Sequence, residues 1–143
     1  FRFPTDWGQT KPIVFAVVGK AYQITVTNRG GFSAGFIVRI WFSGEVQNPK
    51  IWNMTTGKFI GVNRTFARGE QLELCTMPGN KHMTLWTEDG TKTDLIKYRD
   101  YRSSFDTQLQ PGENLIAVDC ADLDQRASMD VTLYYTPLYL EVE

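Results

Sequence analysis

Apolar and polar residues alternate along most of this chain with the period of two that a half-buried strand shows. From Lys20 to Asn28, Tyr22, Ile24 and Val26 share one face and Gln23, Thr25 and Thr27 the other. From Gly35 to Phe42 the alternation repeats, with Phe36, Val38, Ile40 and Phe42 against Ile37, Arg39 and Trp41. Both of those faces are largely apolar. This predicts a central strand covered on both sides, in which Arg39 needs a partner. Gln71 to Met77 sets Leu72 and Leu74 on one face, and Met129 to Thr136 alternates Met129, Val131, Leu133 and Tyr135 with Asp130, Thr132 and Tyr134. Ile13 to Val18, His82 to Thr87 and Leu115 to Cys120 are further runs of strand length.

Turn formers separate these runs. Asn28 to Gly31, Ser43 to Glu45, Ala67 to Glu70, Pro78 to Asn80, Glu88 to Thr91 and Pro111 to Asn114 each break a period. Lys50 to Met54 and Lys58 to Val62 flank Thr55-Thr56-Gly57 and read as a hairpin with Gly57 in the tight turn. The stretch 92–103 is the one segment with a helical hint, from Leu95, Ile96 and Tyr98, and it is too short to stand alone. Phe105 to Gln110 reads as short and extended, and Ala121 to Gln125 as an acidic loop. Many short strands, turn signals about every ten residues and at most one short helix predict an all-β fold, an antiparallel β-sandwich or jelly roll. Residues 1–143 form one expected domain, with 1–12 an incoming linker anchored by Trp7 and 137–143 a terminal extended segment after the interruption at Pro137. The start at Phe1 suggests a piece of a longer protein.

Composition narrows the function. A net charge of -1 offers no field for nucleic acid or an anionic membrane, and no basic stripe is present. No apolar run reaches the ~20 residues of a membrane span, and no signal peptide opens the chain. Two cysteines, Cys75 and Cys120, are too few for a disulfide scaffold and are expected as free thiols in strands.

The search for chemistry argues against an enzyme. His82 is the only histidine and has no G-x-S-x-G or second metal ligand beside it, so its expected role is structural. Glu45, Glu70, Glu73, Glu88, Asp89 and Glu113 sit mostly in turns, not in a readable acid–base pair. Asp119, Asp122 and Asp124 resemble a calcium loop faintly but lack the Gly and terminal Glu of an EF-hand. The glycosylation sequons at Asn53 and Asn63 are put down to chance. No metal and no cofactor are expected. Aromatic side chains remain: of Trp7, Trp41, Trp52 and Trp86, the last two lie on short strands and are the candidates for contact with a ligand or partner, while Trp41 reads as core.

One set of motifs carries a resemblance. Gly44-Glu45-Val46-Gln47-Asn48-Pro49-Lys50-Ile51, then Asn53, then Thr56-Gly57-Lys58-Phe59-Ile60, is similar to the G-x-x-x-N-P-x-I, Asn, T-G-[EK]-x-[IL] pattern of siphophage distal tail proteins. Gly69-Glu70-x-Leu72-x-Leu74, Ser104-Phe105, Leu109 to Ile116 with its P-G-E-N core, and the closing Met129 to Tyr139 follow in the family's order. The resemblance covers about residues 20–140. Asn28-Arg29-Gly30 and Cys75-Thr76 depart from the usual Asn-Gly-[DT] and Asp-Thr. The resemblance implies the C-terminal domain of a tail-tip or baseplate protein, a galectin-like or carbohydrate-module-like sandwich without catalytic residues. It implies docking of receptor-binding or other tail proteins on this domain, assembly in the bacterial cytoplasm and a final place in the virion tail. It further implies a homo-hexameric ring made by an N-terminal domain outside this chain. Contact with host cell-wall carbohydrate is the alternative.

Overall fold

The computed structural model describes residues 14–17 and 23–135, so the expected linker 1–12 and the segment 137–143 lie outside the described residues. Twelve strands are present among them. In chain order they are β1 (Val14–Val17), β2 (Gln23–Asn28), β3 (Phe36–Phe42), β4 (Val46–Gln47), β5 (Lys50–Asn53), β6 (Lys58–Gly61), β7 (Thr65–Phe66), β8 (Gln71–Cys75), β9 (His82–Trp86), β10 (Lys92–Asp94), β11 (Gly112–Asp119) and β12 (Met129–Tyr135). Six form one antiparallel sheet in the order β1-β12-β3-β8-β9-β10; four form a second, β2-β11-β5-β6; β4 and β7 make a small pair. The all-β sandwich expected from the period of two is therefore the observed fold.

The two sheets stack through the faces that the alternation marks. Phe36, Val38, Ile40, Leu72, Leu74 and Leu133 from the larger sheet meet Val26, Ile51, Ile60, Ile116 and Val118 from the smaller, in one buried cluster. Each such side chain contributes roughly 1.5–3 kcal/mol by leaving water. Tyr135 on β12 reaches across the layer and its hydroxyl donates to the Thr27 carbonyl on β2 at 2.5 Å, so its polar tip does not oppose its burial. Phe42 stacks on Phe66 with ring centroids 4.7 Å apart, which ties β7 to the same core.

Strand β3 departs from expectation. It is central in its sheet, between β12 and β8, but only one face is covered. Phe36, Val38, Ile40 and Phe42 are buried, whereas Ile37 is half-buried and Arg39 and Trp41 are exposed. A sandwich stacks one sheet on one sheet, so the second face of a central strand stays on the outside. Apolar Ile37 and Trp41 gave a false signal of double cover, and Arg39 marked the true solvent side.

The segment 92–103 also differs. The turn at 88–91 returns the chain beside β9, so Lys92–Asp94 pairs as β10, with Lys92 opposite Trp86. Only Ile96–Tyr98 then turns, as a 3-10 helix. A second 3-10 turn, Leu123–Ser128, occupies the expected acidic loop, with Asp122 capping it through Asp124 N. In 105–110 only Leu109 pairs, bridging Ala34. The pair β4–β7 is too short to show a period.

Candidate functional site

Trp52 and Trp86 do not share a surface. Trp52 is on β5 of the smaller sheet, where it faces Ala117 and Phe59 in register. Its ring lies 4.5 Å from that of Phe59, tilted, and it borders a shallow recess of about 270 Å³ with Met54, Asp119 and Arg126. Trp86 is on β9 of the larger sheet and borders a recess of about 320 Å³ with Arg39, Gln71, Glu73 and Glu88. Both indoles are half-buried.

The register of the larger sheet assembles the surface around Trp86. Asp130 lies opposite Trp41, Trp41 opposite Gln71, Gln71 opposite Trp86, and Trp86 opposite Lys92. These residues form one row across five strands on the outer face. Trp41, expected in the core, is 41% exposed and stands two strands from Trp86. Its exposure was readable from Arg39, which shares its parity, but not from its apolar neighbours. Lys92 Nζ lies 5.4 Å from the Trp86 ring centroid, a cation–π distance.

The next two rows hold a connected charge cluster. Arg39 Nε donates to Glu73 Oε1 at 2.9 Å, and His82 Nε2 lies 2.7 Å from Glu73 Oε2. His82 Nδ1 faces the Asn80 carbonyl at 2.8 Å. Burial pushes the Glu73 carboxyl up, but the hydrogen bonds from His82 and Arg39 and the Arg39 charge outweigh it and hold the group below the ordinary glutamate value. This cluster supplies the partner that Arg39 requires, and it gives His82 a structural contact.

The other sequence candidates are occupied locally. Asp119 Oδ1 accepts from Cys120 N, and Asp122 Oδ1 accepts from Asp124 N. Among the described residues no three His, Cys, Asp or Glu side chains gather in a metal-binding group. Cys75 and Cys120 are free, buried thiols, and burial raises both above the usual thiol value. Among the described residues no helix is long and apolar enough to cross a membrane.

A second exposed feature went unread in the sequence. The loop 95–104 leaves β10 and runs along the outer edge of β6. Leu95 N donates to Met83 O of the larger sheet, Asn63 N to Tyr98 O beside the smaller one, and Asp100 N and Ser104 N to Gly61 O and Phe59 O of β6. Leu95 and Asp100 are buried, yet Ile96, Tyr98 and Tyr101 are exposed by 40%, 38% and 87%. Asp100 is held below the ordinary aspartate value, chiefly by hydrogen bonds from Arg102 and against its own burial.

Comparison with known proteins decides the family. A model of the siphovirus-type tail component, C-terminal domain, matches residues 29–139. The chain belongs to that family. No curated protein sequence matches it. Among solved structures, this tail-component domain is similar to the SPP1 Dit (gp 19.1) protein, described as a paradigm of the hub adsorption apparatus in phages infecting Gram-positive bacteria. The TM-score is 0.65 at 17% identity, over 88% of this chain and 46% of that one. At that identity the likeness concerns the fold, and the chain spans less than half of the SPP1 protein's length. As a tail component, the domain has a structural role in a phage tail.

The motifs that carry the family resemblance are, in the structure, a framework. Asn53 Nδ2 donates to Asn114 Oδ1 at 3.0 Å and to Gln108 O at 2.8 Å. Asn114 Nδ2 donates to Val26, Gln110 and Gly112 carbonyls, and its Oδ1 accepts from Gln110 N. Gly57 adopts φ +74, which an L side chain resists, and its N–H closes the hairpin on Asn53 O at 2.9 Å. These residues set the backbone path of the tail component's turns. The buried Asn53 also cannot accept a glycan in the folded domain.

Proposed function

We propose that this domain is a non-enzymatic docking platform near the distal end of a phage tail, holding receptor-binding or other baseplate proteins. The observation that carries this is the loop 95–104. It is bonded to both sheets at its ends and still exposes Ile96, Tyr98 and Tyr101. Exposed tyrosines on a backbone already held in place lose little conformational freedom on binding, which is the property of an interface anchor. Ring formation by six copies belongs, in this reading, to a part of the full-length protein outside the chain, consistent with the coverage of less than half of the SPP1 protein.

Deletion of residues 29–139 from the tail protein in the phage genome tests the platform. The expected particles retain the tail tube and lose at least one distal protein by quantitative mass spectrometry. Particles of complete composition and normal adsorption contradict it.

A second reading, contact with host cell-wall carbohydrate, is favoured by one observation: Trp52 and Trp86 each border a recess with polar side chains around the indole. In this reading docking falls to the loop 95–104 and saccharide contact to an indole, so one domain can carry both.

A further inference from the structure

The outer face of the six-stranded sheet presents two indoles in a single cross-strand row. Trp41 and Trp86 are both opposite Gln71, one on each side. Their strands are two inter-strand spacings apart, on the order of 10 Å. That separation is the length of a disaccharide unit in an extended pyranose chain, so alternate sugar rings can rest on the two indoles once the exposed Lys92 side chain, whose Nζ lies 5.4 Å from the Trp86 centroid, swings off that ring. Indole faces attract the C–H faces of pyranoses, which are apolar and carry a slight positive charge.

The polar groups between and beside the indoles are planar and bidentate. Gln71 is exposed between the two indoles. Arg39 donates Nε to Glu73, its guanidinium carbon lies 5.4 Å from the Tyr134 ring centroid, and the side chain borders the recess. Glu88 borders the same recess from the β9–β10 turn. An amide, a guanidinium and a carboxylate recognise pairs of neighbouring hydroxyls, each giving or accepting two hydrogen bonds. Glu73, fixed between Arg39 and His82, holds the guanidinium in place before a ligand arrives.

Charge selects the ligand. Around the row the cations Arg39 and Lys92 stand against three carboxylates, Glu73, Glu88 and Asp130, which leaves an excess of negative charge. An anionic chain is repelled by that charge, while a neutral one is not. The opposite recess at Trp52 has one indole packed against Phe59 and no second indole in its row.

We infer that the row Trp41–Gln71–Trp86, with Arg39 and Glu88, is a binding cleft for a neutral oligosaccharide lying across the strands. This rests on the carbohydrate reading above and assigns it one face, one direction and one chemical class.

Titration calorimetry of the full chain with cellotetraose, chitotetraose and tetragalacturonate tests it. One of the two neutral tetrasaccharides is expected to bind saturably, and tetragalacturonate not to. Trp86→Ala, Trp41→Ala and Gln71→Ala should each weaken binding by about tenfold or more. Trp52→Ala should leave it unchanged. Gln71→Ala removes only an exposed amide, and Trp86→Phe keeps a ring and part of the affinity, so loss of fold cannot imitate the result. Binding that survives the Trp86, Trp41 and Gln71 changes but falls with Trp52→Ala overturns this placement and leaves the carbohydrate reading standing. Preference for tetragalacturonate overturns the neutral class. No heat with any of the three overturns both the cleft and the reading beneath it.

Discussion

Asn53 Nδ2 donates to Asn114 Oδ1 at 3.0 Å across 61 residues of sequence, with both side chains fully buried. This bond joins the hairpin turn after β5 to the turn that starts β11. Replacing Asn114 with Ala strips donors or acceptors from Val26, Gln110, Gly112 and Asn53 at once. A buried polar group left unpaired costs about 1–3 kcal/mol, so Asn114→Ala should destabilise the domain by at least about 3 kcal/mol. Urea unfolding measures it. The double variant with Asn53→Ala should cost less than the two single changes added, because they share one bond. Strict additivity would show that the pair does not act as a unit.

Gly35 is a test of close packing rather than of backbone freedom. A Cβ there would lie 2.6 Å from Met77 Cα and 2.6 Å from Thr76 O, which are backbone atoms that cannot swing aside. Gly35→Ala should therefore cost about 2 kcal/mol. Gly31→Ala, with nothing within 4 Å of its added Cβ, should stay within about 0.5 kcal/mol. Paired urea curves separate the two, and equal midpoints would contradict the close approach.

Most of the fold was legible because the period of two survives in β2, β8 and β12, where Thr, Glu or Asp marks the solvent face. It failed on β3, where Trp41 and Ile37 looked as apolar as Val38 and Ile40. Hydropathy does not distinguish a buried indole from an exposed one, and only the charge on Arg39 did so. The partition of Trp52 and Trp86 onto opposite sheets depends on strand order, which no local pattern encodes. The loop 95–104 was unreadable for a related reason: most of its hydrogen bonds to strands run to β6, far back in the sequence.

Acid should destabilise the domain in a defined window. Glu73 and Asp100 both titrate below their ordinary values of 4.5 and 3.8 in the fold. A carboxyl depressed by folding contributes stability that is full above its unfolded value and is lost as pH falls through its folded value. The urea midpoint should therefore hold steady from neutral pH and fall as pH drops below about 4.5. Asp100→Asn should start lower at neutral pH and decline less steeply. A midpoint independent of pH across this range would contradict the assigned contacts.

The thiols offer a simple check on the core. Cys75 and Cys120 should both react with a thiol reagent under denaturing, non-reducing conditions, and slowly in the native domain, because burial shields them and disfavours the thiolate. Failure to label when denatured would indicate a bridge between the two sheets.

The platform reading turns on the loop 95–104. The most direct measurement is binding of the full chain to the purified distal tail proteins encoded by the same phage. The comparison uses the triple change Ile96→Ser, Tyr98→Ser, Tyr101→Ser and the separate change Trp86→Ala. One tail protein should bind the unaltered chain and the Trp86→Ala variant alike, and binding should be lost with the triple change in a domain whose unfolding midpoint is preserved. No binding by any tail protein, or binding indifferent to the triple change, would contradict the account.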